Sequence, residues 1–275
     1  QRFAPGGVTG WAFISAPVTG AKINQWTDDF PSSGFIGSSG YSGGFISIFY
    51  YDEQIGGAWD SPNSYVPVTN AASNNIIPGV GCWVYLGTSL NTTTDINIDV
   101  TGTIVKGDFD FAPTNEFSGT GVANDGWNLI ANPYPSAIDW DAASGWNKVN
   151  VNNAVYIYQA DLDQYSTYIA GVGVNGGSRF IASSQGFYVK AVSTPQLTCT
   201  EQIKSSTNPT FLKTERGATT GEVLKIKLNG NNNYTDEMAL RLHNDATIDF
   251  DPNYDGIKMG STNQAMPYIA SAMSD

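Results

Sequence analysis

Histidine is almost missing from this chain: His243 is the only one in 275 residues. Any mechanism that needs two histidines is excluded, as are the common histidine-rich zinc sites. Positive charge is also scarce, with 13 Lys+Arg against 25 Asp+Glu and a net charge of −12. Such a surface repels phosphate backbones and anionic lipid, so neither nucleic acid nor a membrane surface is an expected partner. No run of 18 apolar residues occurs, so no membrane insertion is expected. Cysteine is limited to Cys82 and Cys199. The opening residues Gln1 to Gly7 lack the apolar stretch of a signal peptide; either a leader was removed or the chain starts inside a longer one.

What is present is a composition able to build a core. Hydrophobic residues make up 41% and charged residues only 14%, which is not the balance of a disordered chain. Lysine gives way to Asn, Ser, Thr, Asp and Gly on the polar side, an extracellular style of surface.

The chain repeats itself, and a missed repeat would misassign the fold. Gly10-Trp11-Ala12-Phe13-Ile14-Ser15-Ala16-Pro17 matches Gly126-Trp127-Asn128-Leu129-Ile130-Ala131-Asn132-Pro133 at an offset of 116. Trp26-Thr27-Asp28 matches Trp140-Asp141-Ala142 at 114, and Ile48-Phe49-Tyr50-Tyr51 matches Val155-Tyr156-Ile157-Tyr158 at 107. Gly81-Cys82-Trp83-Val84 matches Gly186-Phe187-Tyr188-Val189 at 105, and Ile98–Thr101 matches Leu197–Thr200 at 99. Across these five blocks the order is kept and the offset only shrinks, as loop deletions in a second copy would cause.

Each block is short, rich in β-branched and aromatic residues, and bounded by Gly, Pro, Asn or Ser, which is strand chemistry. No segment sustains a helical apolar period; single helical turns are expected at most around Trp26 and Trp140, the second capped by Ser136 or Asp139. Glu222–Leu228 and Glu237–Leu242 alternate apolar and polar residues around the turn Asn229–Asn233, as half-exposed strands do. The expected fold is all-β: two homologous sandwich- or barrel-like modules in tandem, then the start of a third β-sandwich unit. The boundaries are 1–106 for copy 1, 107–122 for a connection, 123–204 for copy 2, 205–210 for a linker and 211–275 for the third unit. Phe109, Phe111 and Phe117 in the connection favour docking of the two copies.

Gly126–Pro135, Ile138-Asp139-Trp140 and Gln185–Val189 together resemble a recurrent pattern in large secreted proteins of Bacteroidota, upstream of the sorting domain for type IX secretion. Thr235–Met238, Asn244–Thr247 and Phe250–Asp255 with Lys258 resemble the segment that precedes the sorting signal. The resemblance runs from Trp11 to Lys258. It implies export and display on the cell surface or release, and it carries over no catalytic residue.

Several motifs suggest chemistry. Gly40-Tyr41-Ser42-Gly43-Gly44 fits G-x-S-x-G, yet a nucleophile elbow needs a strand before it and a helix after it; here a loop precedes and a strand follows. Gly171–Gly176 fits G-x-G-x-x-G, but no helix opens after it, and Asn175-Gly176 reads as a turn pair. Asp249, Asp251, Asn253 and Asp255 alternate before Gly256. Oxygens at every second position suit Ca²⁺, while an acidic turn bonding its own backbone explains the same residues. Cys82 and Cys199 align with Phe187 and Val100, which favours two small core hydrophobes over a disulfide.

The repeat also sorts the tryptophans. Trp11, Trp26 and Trp83 have aromatic counterparts in copy 2 and read as core. Trp59 and Trp146 have none, so they are candidate glycan-stacking rings, with folding back onto their own module as the alternative. Tyr165 and Tyr168 are weaker candidates of the same kind. Asp28 with Asp29 and Asp52 with Glu53 are adjacent carboxylates, which along a strand point apart rather than flank one bond. No enzyme activity is expected. The expected function is a non-catalytic extracellular or cell-surface module acting in adhesion or as a stalk, with a glycan or cell-surface protein as partner. The alternatives are a carbohydrate-binding appendage of a polysaccharide-degrading enzyme and a subunit of a surface polymer joined at strand edges.

Overall fold

A computed structural model describes residues 2–4, 10–40, 44–55, 64–86, 95–111, 116–119, 121, 125–160, 162–207, 209–212, 222–231, 234–261 and 265–271. Copy 1 supplies β1 (Arg2–Ala4), β2 (Gly10–Ile14), β3 (Val18–Thr19), β4 (Ile48–Tyr51), β5 (Tyr65–Pro67), β6 (Cys82–Leu86), β7 (Ile96–Ile98) and β8 (Thr103–Ile104). Then come β9 (Phe109–Asp110), β10 (Trp127–Ala131), β11 (Ala137–Asp139), β12 (Trp146–Val151), β13 (Val155–Gln159) and β14 (Gln164–Ile169). Copy 2 closes with β15 (Val172–Val174), β16 (Phe180–Ile181), β17 (Gly186–Cys199) and β18 (Lys204–Ser205), and β19 (Val223–Asn229) and β20 (Thr235–Arg241) form a terminal hairpin. The fold is all-β: the described residues hold no α-helix, every strand ladder is antiparallel, and no sheet closes into a barrel. A 3₁₀ turn at Ile23–Gln25 precedes Trp26, whereas Trp140 follows strand β11 directly.

The two copies share strand order and register. Copy 1 is ordered β2-β6-β4-β5 and copy 2 β10-β17-β13-β14 with β15 beyond. Phe13 faces Trp83, and Leu129 faces Tyr188; Ile14 faces Cys82, and Ile130 faces Phe187. Phe49 pairs with Trp83 as Tyr156 pairs with Tyr188. Tyr51↔Tyr65 and Tyr158↔Tyr165 are equivalent pairs too, an added block at an offset of 100. The offset therefore dips and then recovers to 105, because copy 2 inserts β15 and β16 before β17.

Two features modify the boundaries read from sequence. The connection contributes β9, which pairs with the end of β17 as β1 pairs with β7 in copy 1. At the other end, Phe211 and Leu212 are buried in the core of copy 1 rather than in a third unit. Strand β17 serves two sheets, its first half pairing β10 and β13 and its second half β12 and β9. A bulge in β12 at Asn150, with φ +56°, accommodates that bend.

Alternation along the strands assigns each side chain to a core. Ala12 and Ile14 enter the core of copy 1, and Phe13 points the other way. Cys82 and Val84 join copy 1, Phe187 and Val189 join copy 2, and Tyr188 lies between them. Val155 and Ile157 face copy 2's core, whereas Tyr156 and Tyr158 face the same middle layer as Phe13. Both faces of these strands are buried, which is why the sequence runs aromatic and apolar without polar alternation.

Candidate functional site

The middle layer is an aromatic seam between the copies. The Phe13 ring centroid lies 4.7 Å from Trp83, 5.1 Å from Tyr188 and 6.0 Å from Tyr158. Trp83 also stacks on Trp11 at 5.3 Å and meets Tyr158 edge-on at 4.8 Å. The Tyr65 and Tyr188 hydroxyls are 2.7 Å apart, so these two polar tips satisfy each other inside the layer. Edge-to-face pairs of this kind add about 0.5–1.5 kcal/mol each beyond their buried area. Burial pushes the Tyr188 phenol far above its ordinary value, helped by the Tyr65, Tyr165 and Tyr51 hydroxyls around it.

Backbone bonds cross the same boundary. Gly81 N donates to Leu129 O at 3.0 Å, Ala131 N to Gly79 O at 2.9 Å, and Ser15 N to Ser184 O at 2.9 Å. The buried Gln185 amide ties three segments together. Its Nε2 donates to Phe13 O at 3.0 Å and Gly186 O at 2.9 Å, and its Oε1 accepts Leu212 N at 2.9 Å. Glu53 of copy 1, only 2% exposed, accepts the N–H groups of Ser118 at 3.0 Å and Gly126 at 2.7 Å, and the Ser118 hydroxyl at 2.9 Å. Gly126 must be glycine there: its φ is +75°, and an added Cβ would sit 2.0 Å from Ala191 O.

Beside the seam opens a cleft of about 270 Å³, lined by Tyr50, Tyr51, Asp52, Gln54, Glu116 and Asn128 among others. Burial raises the Glu116 carboxyl above its ordinary value, and the neighbouring Asp52 and Glu53 carboxylates add to the rise. Asp52 and Glu53 take separate tasks: Asp52 caps Gln54 N at 2.9 Å, while Glu53 is turned into the seam.

Among the described residues, those singled out from sequence do not converge. Trp59 lies outside the described residues, as do Tyr41, Ser42 and Gly43 of the G-x-S-x-G stretch. Trp146 is half-buried, donating from Nε1 to Asp139 O at 2.8 Å and packing edge-on against Trp140 at 4.8 Å. Tyr165 and Tyr168 are 7% and 2% exposed, which leaves no ring face for a sugar to stack on. Tyr165 belongs to the seam and Tyr168 to the core of copy 2. Asn175 and Gly176 have φ +50° and +83°, and Gly177 N bonds Val174 O at 3.0 Å, the geometry of a tight turn.

Around the acidic loop, Asp251 Oδ1 accepts Asn253 N at 2.9 Å and Asp255 Oδ2 accepts Asp251 N at 2.8 Å, so both carboxylates bond their own backbone. Asp249 and Asn253 complete the alternation, but among the described residues no three acidic, histidine or cysteine groups come together as a metal cluster. Cys82 and Cys199 are buried free thiols; burial pushes the first up to about 12 and the second up to about 11.

Sequence reasoning named Glu53 only as a neighbour of Asp52 and missed its place in the seam, as it missed the role of Gln185 and the Tyr50–Glu116 cleft. Gln185 stood in a quoted motif, but its partners Phe13 and Leu212 are far apart in sequence, and no local pattern predicts such a bond.

No curated protein and no solved structure matches the chain. One family model does, over residues 38–273, spanning part of copy 1, all of copy 2 and the hairpin; the chain belongs to the family described as Domain of unknown function (DUF8693).

Proposed function

We propose that the chain is a non-catalytic module of a secreted bacterial protein, displayed at the cell surface after type IX export, that acts in adhesion or as a stiff stalk. The observation that carries this reading is the seam: two modules fused by ring contacts and by backbone bonds cannot swing about a linker. A spacer that holds a binding end away from a surface needs that stiffness. The acidic, asparagine- and serine-rich surface and the secreted-protein motifs support the location.

Small-angle scattering of the purified chain tests the reading. A single rigid particle is expected, with the spacing between copies unchanged by salt. A profile of two independently moving units, or turnover of a glycan by the chain, would defeat it.

A second reading, a carbohydrate-binding appendage, draws support from the cleft, where Tyr50 and Tyr51 line the wall beside carboxylate and amide residues. Glycan-array binding with and without calcium would separate the candidates, using Tyr51→Ala, Trp59→Ala and Trp146→Ala. Loss only on calcium removal would point to Asp249–Asp255.

A further inference from the structure

The terminal hairpin presents an amphipathic ribbon whose apolar row along β19 is exposed. In β19, Leu224, Ile226 and Leu228 alternate with Lys225 and Lys227, and neighbours on a strand face opposite ways. The register sets Leu240 across from Leu224 and Met238 across from Ile226, while Leu228 lies across from the buried Asp236, which Lys258 and Ile269 N cover, so the exposed apolar row is Leu224, Ile226 and Leu228 with Leu240. Leu224 is 60% exposed, Leu240 44%, Leu228 41% and Ile226 36%. The hairpin is held to copy 2 by polar bonds instead. Lys225 Nζ donates to Gly173 O at 2.6 Å, Glu237 and Asn175 exchange two bonds of 2.9 and 3.0 Å, Asn175 Nδ2 donates to Asp236 Oδ1 at 2.9 Å, and Arg241 reaches Ala170 O.

The outer edge of β19 has no strand beside it among the described residues. A two-stranded ribbon is marginal by itself, and a third strand on an open edge supplies main-chain bonds and apolar cover together.

The lysines select which strand fits. Pairing β19 with β19 of a second copy, with the apolar rows on one face, sets lysine against lysine on the other, because Lys225 and Lys227 occupy its charged positions. Like charges directly opposite are destabilising. On the occupied side of β19 the charge is complementary, with Glu237 facing Lys227. We infer that the free edge of β19 receives an extended strand of a partner polypeptide in which apolar residues alternate with Asp or Glu. The apolar residues cover Leu224, Ile226 and Leu228, and the acids meet Lys225 and Lys227. This inference stands on the hairpin alone and does not depend on the stalk reading.

Fluorescence anisotropy of the full chain with labelled peptides tests it, using a Val/Glu alternating strand, its Val/Lys counterpart and a shuffled Val/Glu sequence. The alternating Glu peptide binds about tenfold tighter than either of the others, and Lys227→Glu reverses the preference between the two alternating peptides. Because Lys227→Glu also faces Glu237, Lys227→Ala provides a milder variant, in which the Glu-over-Lys preference shrinks several-fold while the melting temperature holds. Equal binding of the three peptides, no binding, or a preference untouched by Lys227→Ala overturns the inference. So does dimerisation of the unmodified chain in sedimentation, abolished by Ile226→Thr, since a second copy would then occupy the edge.

Discussion

The seam between the copies and the terminal hairpin use the same antiparallel ribbon and opposite ways of covering it. In the seam, β2, β6, β13 and β17 carry apolar residues on both faces, one face toward a module core and the other toward the neighbouring copy. In the hairpin, one face is apolar and exposed while charged groups make the attachment. The contrast teaches that a strand's pattern states how many of its faces want cover, and the surroundings decide whether cover arrives. The seam locks the two copies together; the hairpin keeps its β19 apolar row exposed.

The sharpest way to break that contrast is Phe13→Ala, which empties the space among Trp83, Tyr158, Tyr165 and Tyr188. A loss of about 3–5 kcal/mol is expected in denaturant unfolding, with the single transition splitting as the copies uncouple. Gln185→Leu comes next. Removing the amide strands Phe13 O and Leu212 N without their partner, and about 2–3 kcal/mol should be lost at nearly constant volume.

Lys148 gives a test by pH. Burial lowers its ammonium to about 8, with Asp141 and Asp139 opposing the shift, while Nζ lies 3.9 Å over the Trp140 ring. Between about pH 8 and the ordinary lysine value, the unfolded chain holds a proton that the folded chain has released, so stability attributable to this group rises with pH. Measured against Lys148→Met, the native chain should gain on the order of 2 kcal/mol across that window, and a flat difference would remove burial as the cause.

The smallest effect belongs to the hairpin. Ile226→Thr should change stability by no more than about 0.5 kcal/mol, since it removes apolar surface already in water. A loss close to that of Phe13→Ala would mean the hairpin is covered in solution, and the contrast with the seam would disappear.

Much of the architecture was legible because strands announce themselves locally. Trp11 and Trp127, Phe13 and Leu129, and Trp83 and Tyr188 occupy equivalent register positions, as the repeat aligned them. The hairpin around Asn229–Asn233 was legible from its alternation. The candidate rings were harder. Tyr165 and Trp146 look alike in sequence as aromatics near a turn or strand end, yet one is sealed in the seam and the other half-buried against Trp140. Nothing within a few residues of either distinguishes them.

The sequence by itself determined that this chain is β throughout, that it repeats, and which positions of each strand share a face, because propensity and alternation act over a handful of residues. Tertiary structure alone decided that the second face of each repeat lies against the other copy, that Glu53 and Gln185 are fastenings, and that Leu224, Ile226 and Leu228 stay exposed. Those outcomes depend on groups such as Gln185 and Phe13, 172 residues apart, and only the folded chain brings them within hydrogen-bonding distance.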